Sequence, residues 1–182
     1  MRYILILSFV LFSSSIFAQG VSNALRFGGW SMHLEDPSIN NAPEYNEDNF
    51  GVGADIGLTK LGNWHLQLSF SYLKDSFDQN LYAGGITFDR PLNLYLGKWS
   101  FAIGASLGIQ SRSIAHSRNG EFTELKREVL PMILPYSRAS YGNLFMLFSV
   151  IPQIERKNNV ATGETKYEIK KPVIFWQMGY SF

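Results

Sequence analysis

The strongest constraint on this chain is a two-residue hydrophobic period that returns in segments about ten residues long. From Trp99 the odd positions are Trp99, Phe101, Ile103, Ala105, Leu107 and Ile109, and between them stand Ser100, Ala102, Gly104, Ser106, Gly108 and Gln110. Side chains alternate across a strand, so one face is large and apolar and the other small. Val52, Ala54, Ile56 and Leu58 oppose Gly51, Gly53, Asp55, Gly57 and Thr59 in the same way. Leu66, Leu68, Phe70 and Tyr72 oppose His65, Gln67, Ser69 and Ser71. The last segment sets Ile174, Trp176, Met178, Tyr180 and Phe182 against Val173, Phe175, Gln177, Gly179 and Ser181. Ten residues is roughly the length of a tilted strand that crosses a bilayer.

Less regular segments bring the expected strands to eight, at about 24–33, 49–59, 64–74, 81–92, 98–111, 130–141, 144–152 and 172–182. The sixth and seventh are apolar on both faces, as strands against a dry lumen would be. Connections at 60–63, 93–97 and 142–143 are short and rich in Gly or Asn, whereas 34–48, 74–80, 112–129 and 153–171 are longer and polar. Short turns on one rim and long loops on the other are the layout of an outer-membrane barrel, with both termini on the periplasmic side. The expected fold is therefore all-β, an eight-stranded antiparallel up-and-down transmembrane barrel over residues 19–182. A soluble lipocalin-type barrel has the same period. It would need charge on its outer faces, and these faces carry almost none.

Arg2, an apolar run from Tyr3 to Phe12 and the stretch Ser13–Ala18 read as a secretory signal over 1–18, too short to span a bilayer. Gln19–Ala24 is too short for an amphipathic helix, so little or no N-terminal helix is expected. Without Arg2 the chain carries 15 basic and 15 acidic residues, which gives no support for a nucleic-acid partner. There is no cysteine, which excludes disulfides and thiolate metal sites, and three scattered histidines lack metal-ligand spacing. No metal or cofactor is expected.

Chemistry gathers where the third strand ends. Ser69–Leu73 alternates, and Lys74-Asp75-Ser76 then breaks the pattern. An Asp-Ser pair in a loop is often only an Asx-type turn. Its surroundings here form an ordered set: Trp30-Ser31-Met32-His33, Tyr45-Asn46-Glu47, Gly62-Asn63-Trp64-His65, Lys74-Asp75-Ser76-Phe77, Arg90-Pro91-Leu92 and Leu134-Pro135 with Ile151-Pro152. In that order the chain resembles the PagP family of outer-membrane palmitoyltransferases. The resemblance implies transfer of an acyl chain from a phospholipid donor to lipid A in the outer membrane of a Gram-negative cell. It also implies that His33, Asp75 and Ser76 are catalytic. Acyl transfer needs a nucleophile or activated hydroxyl, a base and an orienting anion, roles that Ser76, His33 and Asp75 can fill. Ser76 either forms an acyl-enzyme or positions the acceptor.

Proline lacks an N–H and is avoided inside a sheet. Pro135 and Pro152, on strands six and seven, mark the place that the family uses as a lateral gate for lipid tails. The family's acyl pocket maps to Gly84, Gly85 and Ile86, with Ile86 expected to shorten it. The family's second gate, between strands one and two, has Gly28-Gly29 and Asn49 where prolines would stand, so proline gives that gate no support. Arg112, Arg118, Lys126, Arg127, Arg156 and Lys157 are expected in outer loops, where interspersed glutamates favour a solvated surface over phosphate binding. A monomer is expected. A non-catalytic structural or lipid-binding barrel, and a phospholipase-type hydrolase using the same residues, are the alternatives.

Overall fold

The computed structural model describes residues 21–35, 37, 39–118, 120–158 and 165–182, and the side chains of these except 118 and 152–170. The signal segment expected at 1–18 lies outside the described residues. Every regular element described is a strand: β1 (Ala24–His33), β2 (Gly51–Leu61), β3 (Trp64–Lys74), β4 (Asn80–Leu96), β5 (Trp99–Arg118), β6 (Glu121–Tyr141), β7 (Leu144–Asn158) and β8 (Thr165–Ser181). Each pairs antiparallel with its sequence neighbours, and β8 returns to β1, closing the barrel. Closure leaves no open edge, the condition for a sheet in hydrocarbon.

Alternation sorts the faces as the sequence suggests. Leu25, Phe27, Val52, Phe70, Ile103, Leu107, Ile109, Ile133, Phe148 and Val150 project outward. Trp64, Trp99, Tyr141, Tyr180 and Phe182 ring the short-turn rim, and Tyr72 and Tyr82 stand nearer the other. The Trp99 and Tyr141 rings lie 5.4 Å apart, and those of Tyr72 and Tyr82 5.2 Å. An apolar band between aromatic girdles is the exterior of a barrel that spans an outer membrane.

The strand ends differ from expectation on the outer side. Residues 112–129, expected as a loop, extend β5 and β6 as a hairpin that stays paired to Arg118↔Glu121 and turns at Gly120 (φ +83°). Likewise β7 and β8 remain paired to Asn158↔Thr165. Backbone pairing satisfies the polar main chain whatever the side chains, so mixed-charge segments continue as ladder beyond the membrane. Arg112 is therefore a strand residue.

The lumen is dry only in part. Leu73 and Val173 are buried toward the outer end. Below them lies a polar layer in which the Arg26 guanidinium meets Asp55 at 3.0 Å and donates to Ser69 Oγ (2.7 Å) and Gln177 Oε1 (3.1 Å). Ser69 Oγ donates to Asp55 at 2.7 Å, and Gln177 Nε2 donates to the Gly28 carbonyl at 3.1 Å. Toward the short turns, Asp89 lies 3.3 Å from His65 and 3.8 Å from Arg138, whose guanidinium covers the Phe145 ring at 4.0 Å. Buried charges persist where they are paired and hydrogen-bonded, and these layers close the lower barrel. The dry lumen that β6 and β7 suggest thus has a charged floor.

Two seams interrupt the closed ladder. Pairing of β6 with β7 runs from Tyr141↔Leu144 only to Tyr136↔Ser149, although both strands continue outward. Pairing of β1 with β2 stops at Gly28↔Gly51, and Trp30–His33 pairs with β8 alone. A bulge at Gly28 (φ +74°) and Gly29 (φ +144°) causes the second break. These φ values suit glycine, and a Cβ on Gly29 would stand 2.5 Å from the Asn49 carbonyl oxygen. That seam needs no proline.

Candidate functional site

At the outer end of the lumen, His33 closes β1 and Ser76 sits in the turn after β3. His33 Nε2 lies 3.0 Å from Ser76 Oγ, the hydrogen-bond distance that a general base needs from its nucleophile. Nε2 accepts the hydroxyl proton when the imidazole carries its hydrogen on Nδ1. Tyr45 stacks on the imidazole, with centroids 4.0 Å apart and planes 17° apart, and its ring contacts Phe77 at 5.6 Å.

Asp75 does something other than orient His33. Its Oδ1 accepts the backbone N–H groups of Phe77 (2.9 Å) and Gln79 (3.0 Å), and its Oδ2 accepts that of Ser113 (2.7 Å). At 2 % exposure it is among the most buried side chains described. This is the Asx-type turn, with a third bond tying the turn to β5. Asp75 shapes the backbone that presents Ser76. A carboxylate that does meet His33 is Glu47, whose Oε1 accepts the His33 backbone N–H at 3.1 Å and whose charge acts on the ring.

Asp75→Asn is accordingly expected to act through the fold. An amide cannot accept all three bonds, and stranding the Ser113 N–H costs about 1–3 kcal/mol. The thermal midpoint in detergent should fall while the pH profile of any turnover keeps its shape. A shifted profile with an unchanged midpoint would give Asp75 the role of orienting anion.

The segment between β1 and β2 lies over the pair. Asn46 N donates to the Ser76 carbonyl (2.7 Å), and Ser31 N to that of Glu47 (2.8 Å). Farther back, Asn40 bridges the β5–β6 tip: its N donates to the Gly120 carbonyl (3.0 Å), and Phe122 N donates to its carbonyl (2.9 Å). Asn40 and Asn41 both donate to the Glu121 carboxylate, at 3.3 and 2.8 Å. One strap thus carries Tyr45, Asn46 and Glu47 from a distant hairpin to the His33–Ser76 pair. Glu121→Ala removes the two side-chain bonds, and amide exchange at Asn46 and Glu47 should rise about tenfold, the effect of some 1.4 kcal/mol. Unchanged exchange would mean that the strap is held from the His33 side alone.

The remaining expected residues divide. Ile86 is 41 % exposed and turns to lipid, and a Cβ on Gly84 would meet the outward Phe70 ring, so neither borders the lumen. Only Gly85 turns inward, opposite Gly108, in step with the buried Thr87 and Asp89. The expectation that Ile86 shortens the pocket is corrected by this parity. Pro135 stands at the β6–β7 seam, where its carbonyl accepts the Ser149 hydroxyl. Pro152 falls at an irregularity between Ile151 and Gln153 in the β7–β8 ladder. Arg127 donates to the Asn80 carbonyl at 2.6 Å and lies over the Tyr82 ring, so it braces the wall. His65 and His116 pair with Asp89 and Glu128, away from the site. Among the described residues no group of His, Asp and Glu could hold a metal. An apolar groove bounded by Leu61, Trp64, Phe88 and Ile103 lies by the short-turn rim, far from this chemistry.

Tyr45, Asn46, Glu47 and Arg112 are the contributors whose roles sequence reasoning missed. The first three stand together as a motif, which was the available signal.

Fold and exterior define an outer-membrane β-barrel of eight strands. No family model matches the chain, and no curated protein does either. Among solved structures it is similar to the N-terminal β-barrel domain of Pseudomonas aeruginosa OprF, at 16 % identity over 90 % of this chain and 100 % of that one, with a TM-score of 0.46. It is also similar to Yersinia pestis Ail, the attachment invasion locus protein, in complex with sucrose octasulfate, at 13 % identity over 88 % and 97 %, with a TM-score of 0.43.

Proposed function

We propose that this chain is an outer-membrane acyltransferase of the PagP type, moving a fatty acyl chain from a phospholipid to lipid A. The observation that carries the reading is Ser76 Oγ at 3.0 Å from His33 Nε2, at the outer end of a lumen that is closed by charged layers below. The β6–β7 seam supports it as a side entrance for a lipid tail. The ordered motifs from Trp30 to Pro152 support the particular family.

In the acyl-enzyme route, His33 takes the Ser76 proton as Oγ bonds to the donor's acyl carbon. The tetrahedral adduct expels the lysophospholipid alkoxide, which leaves with the proton from His33. A hydroxyl of the acceptor then gives its proton to His33 and attacks the acyl-serine, and the expelled Ser76 oxygen takes that proton back from His33. In the direct route the acceptor hydroxyl replaces Ser76 as nucleophile and the same base serves. Water in the acceptor's place gives a phospholipase, recognised by free fatty acid without acylated lipid A.

A second reading, a non-catalytic barrel, is favoured by one observation: the Asp75 carboxylate is committed to three backbone N–H groups. Mass spectrometry of lipid A from expressing cells, with outer-leaflet asymmetry disturbed by a chelator, separates the readings. One added acyl mass is expected, and its absence would remove the transferase reading.

A further inference from the structure

We propose that the outer lumen contains an anion pocket centred on Arg112, which receives a charged oxygen of the phospholipid donor beside Ser76. The oxygen is either the oxyanion formed at the acyl carbonyl or one on the donor's phosphate. The inference rests on the reading of Ser76 and His33 as the reacting pair, and it names the group that holds the negative charge.

Buried polar atoms without a protein partner carry the argument. Among the described residues these are Arg26 Nε, Ser31 Oγ, His33 Nδ1, Asn49 Oδ1, Asp89 Oδ1 and Arg112 Nε. Arg26 Nε still faces the Asp55 carboxylate at 3.0 Å, and Asp89 Oδ1 lies 3.3 Å from His65 Nδ1. The other four belong to the outer end. Ser31 and His33 share the inner face of β1, and Asn49 donates to the carbonyl of Asn46, whose N–H holds Ser76. A buried group left unmet costs about 1–3 kcal/mol. One such atom is an accident of packing. Of the four, Ser31 Oγ, His33 Nδ1 and Arg112 Nε can each present a hydrogen, and unmet donors at one end of the lumen are what a site completed by an anion leaves behind, whereas Asn49 Oδ1 only accepts.

Arg112 supplies the cation. It precedes Ser113, whose N–H is fixed to Asp75, and its charge reaches Asp75, Tyr45 and His33. Asp75 balances it, yet both carboxylate oxygens already accept backbone N–H groups. Glu128, opposite Arg112 in the ladder, is paired with His116. Glu47, the other carboxylate at the site, takes the His33 N–H. A guanidinium that is held but not consumed suits an incoming oxyanion or phosphate. Fixed donors in a dry site also act strongly on charge that develops there.

Arg112→Lys and Arg112→Met, checked for folding by heat-modifiable migration, test the pocket. Arg112→Met is expected to lower kcat/KM by about 10²–10³, with Arg112→Lys recovering much of the loss. A fall in kcat assigns the oxyanion, and a rise in KM assigns the donor phosphate. Turnover by folded Arg112→Met within about threefold of wild type would overturn the proposal. A second arm needs no turnover: hexadecylphosphonate, followed by phosphorus NMR in detergent, should bind Ser76→Ala as it binds wild type and Arg112→Met at least about tenfold more weakly. Equal binding overturns the pocket. Wild type without transferase activity would instead remove the Ser76–His33 reading, while the phosphonate still decides on Arg112.

Discussion

Ser76→Ala and His33→Ala should each lower acyl transfer by about 10²–10⁴ while leaving a folded barrel. The two side chains meet at 3.0 Å across the mouth, yet neither backbone depends on that contact. His33 remains held by the β8 ladder and by Glu47, and Ser76 by the Asn46 N–H. Removing the hydroxyl or the ring therefore takes out chemistry and little else. The double variant should be scarcely worse than either single one, because a nucleophile and its base act as a unit. Mass spectrometry of lipid A, with quantification of heat-modifiable barrel in the same membranes, checks both points. Full acylation by Ser76→Ala with none by His33→Ala would select the direct route. Full acylation by both would end the catalytic reading.

The barrel was legible because a membrane imposes its period on every strand: Trp99–Gln110 reads out its own two faces. Outside the bilayer that pressure disappears. Ser113–Arg127 alternates poorly and still forms ladder, since main-chain bonds need no apolar face. Parity decided which of Gly84, Gly85 and Ile86 faces the lumen, and sequence alone did not fix whether Ile86 or Gly85 turned inward. Asp75 was legible only in part, for a different reason. A carboxylate beside a serine suggests an orienting or charge-balancing anion, and only the fold brings three N–H groups from two elements to it. The strap was visible as Tyr45-Asn46-Glu47, but its anchor at Glu121 depends on a tertiary contact far along the chain.

Restoring the missing donors at the β6–β7 seam should slow lipid entry without touching the reacting pair. In an antiparallel strand the N and O of one residue point to the same neighbour. The Pro135 carbonyl accepts from Ser149 on β7, so its imino nitrogen also faces β7. Pro131, four residues away, has the same parity, and sequence reasoning had not singled it out as part of the gate. Continued register would set Pro135 opposite Val150, just past the Tyr136↔Ser149 pair where the ladder ends. Pro131→Ala with Pro135→Ala returns two N–H groups to that edge. At about 1 kcal/mol each, they would favour the closed seam by about 2 kcal/mol and cut the open population roughly thirtyfold. In lipid an unmet group costs more, which raises the effect. Transfer from a bilayer phospholipid should fall by about that factor, and amide exchange at Val150 should slow in parallel. A short-chain ester that reaches Ser76 from the aqueous side should be turned over at the wild-type rate. Slowed exchange with undiminished transfer from bilayer lipid would show that the tail enters elsewhere, and the Gly28-Gly29 break between β1 and β2 would be the remaining opening.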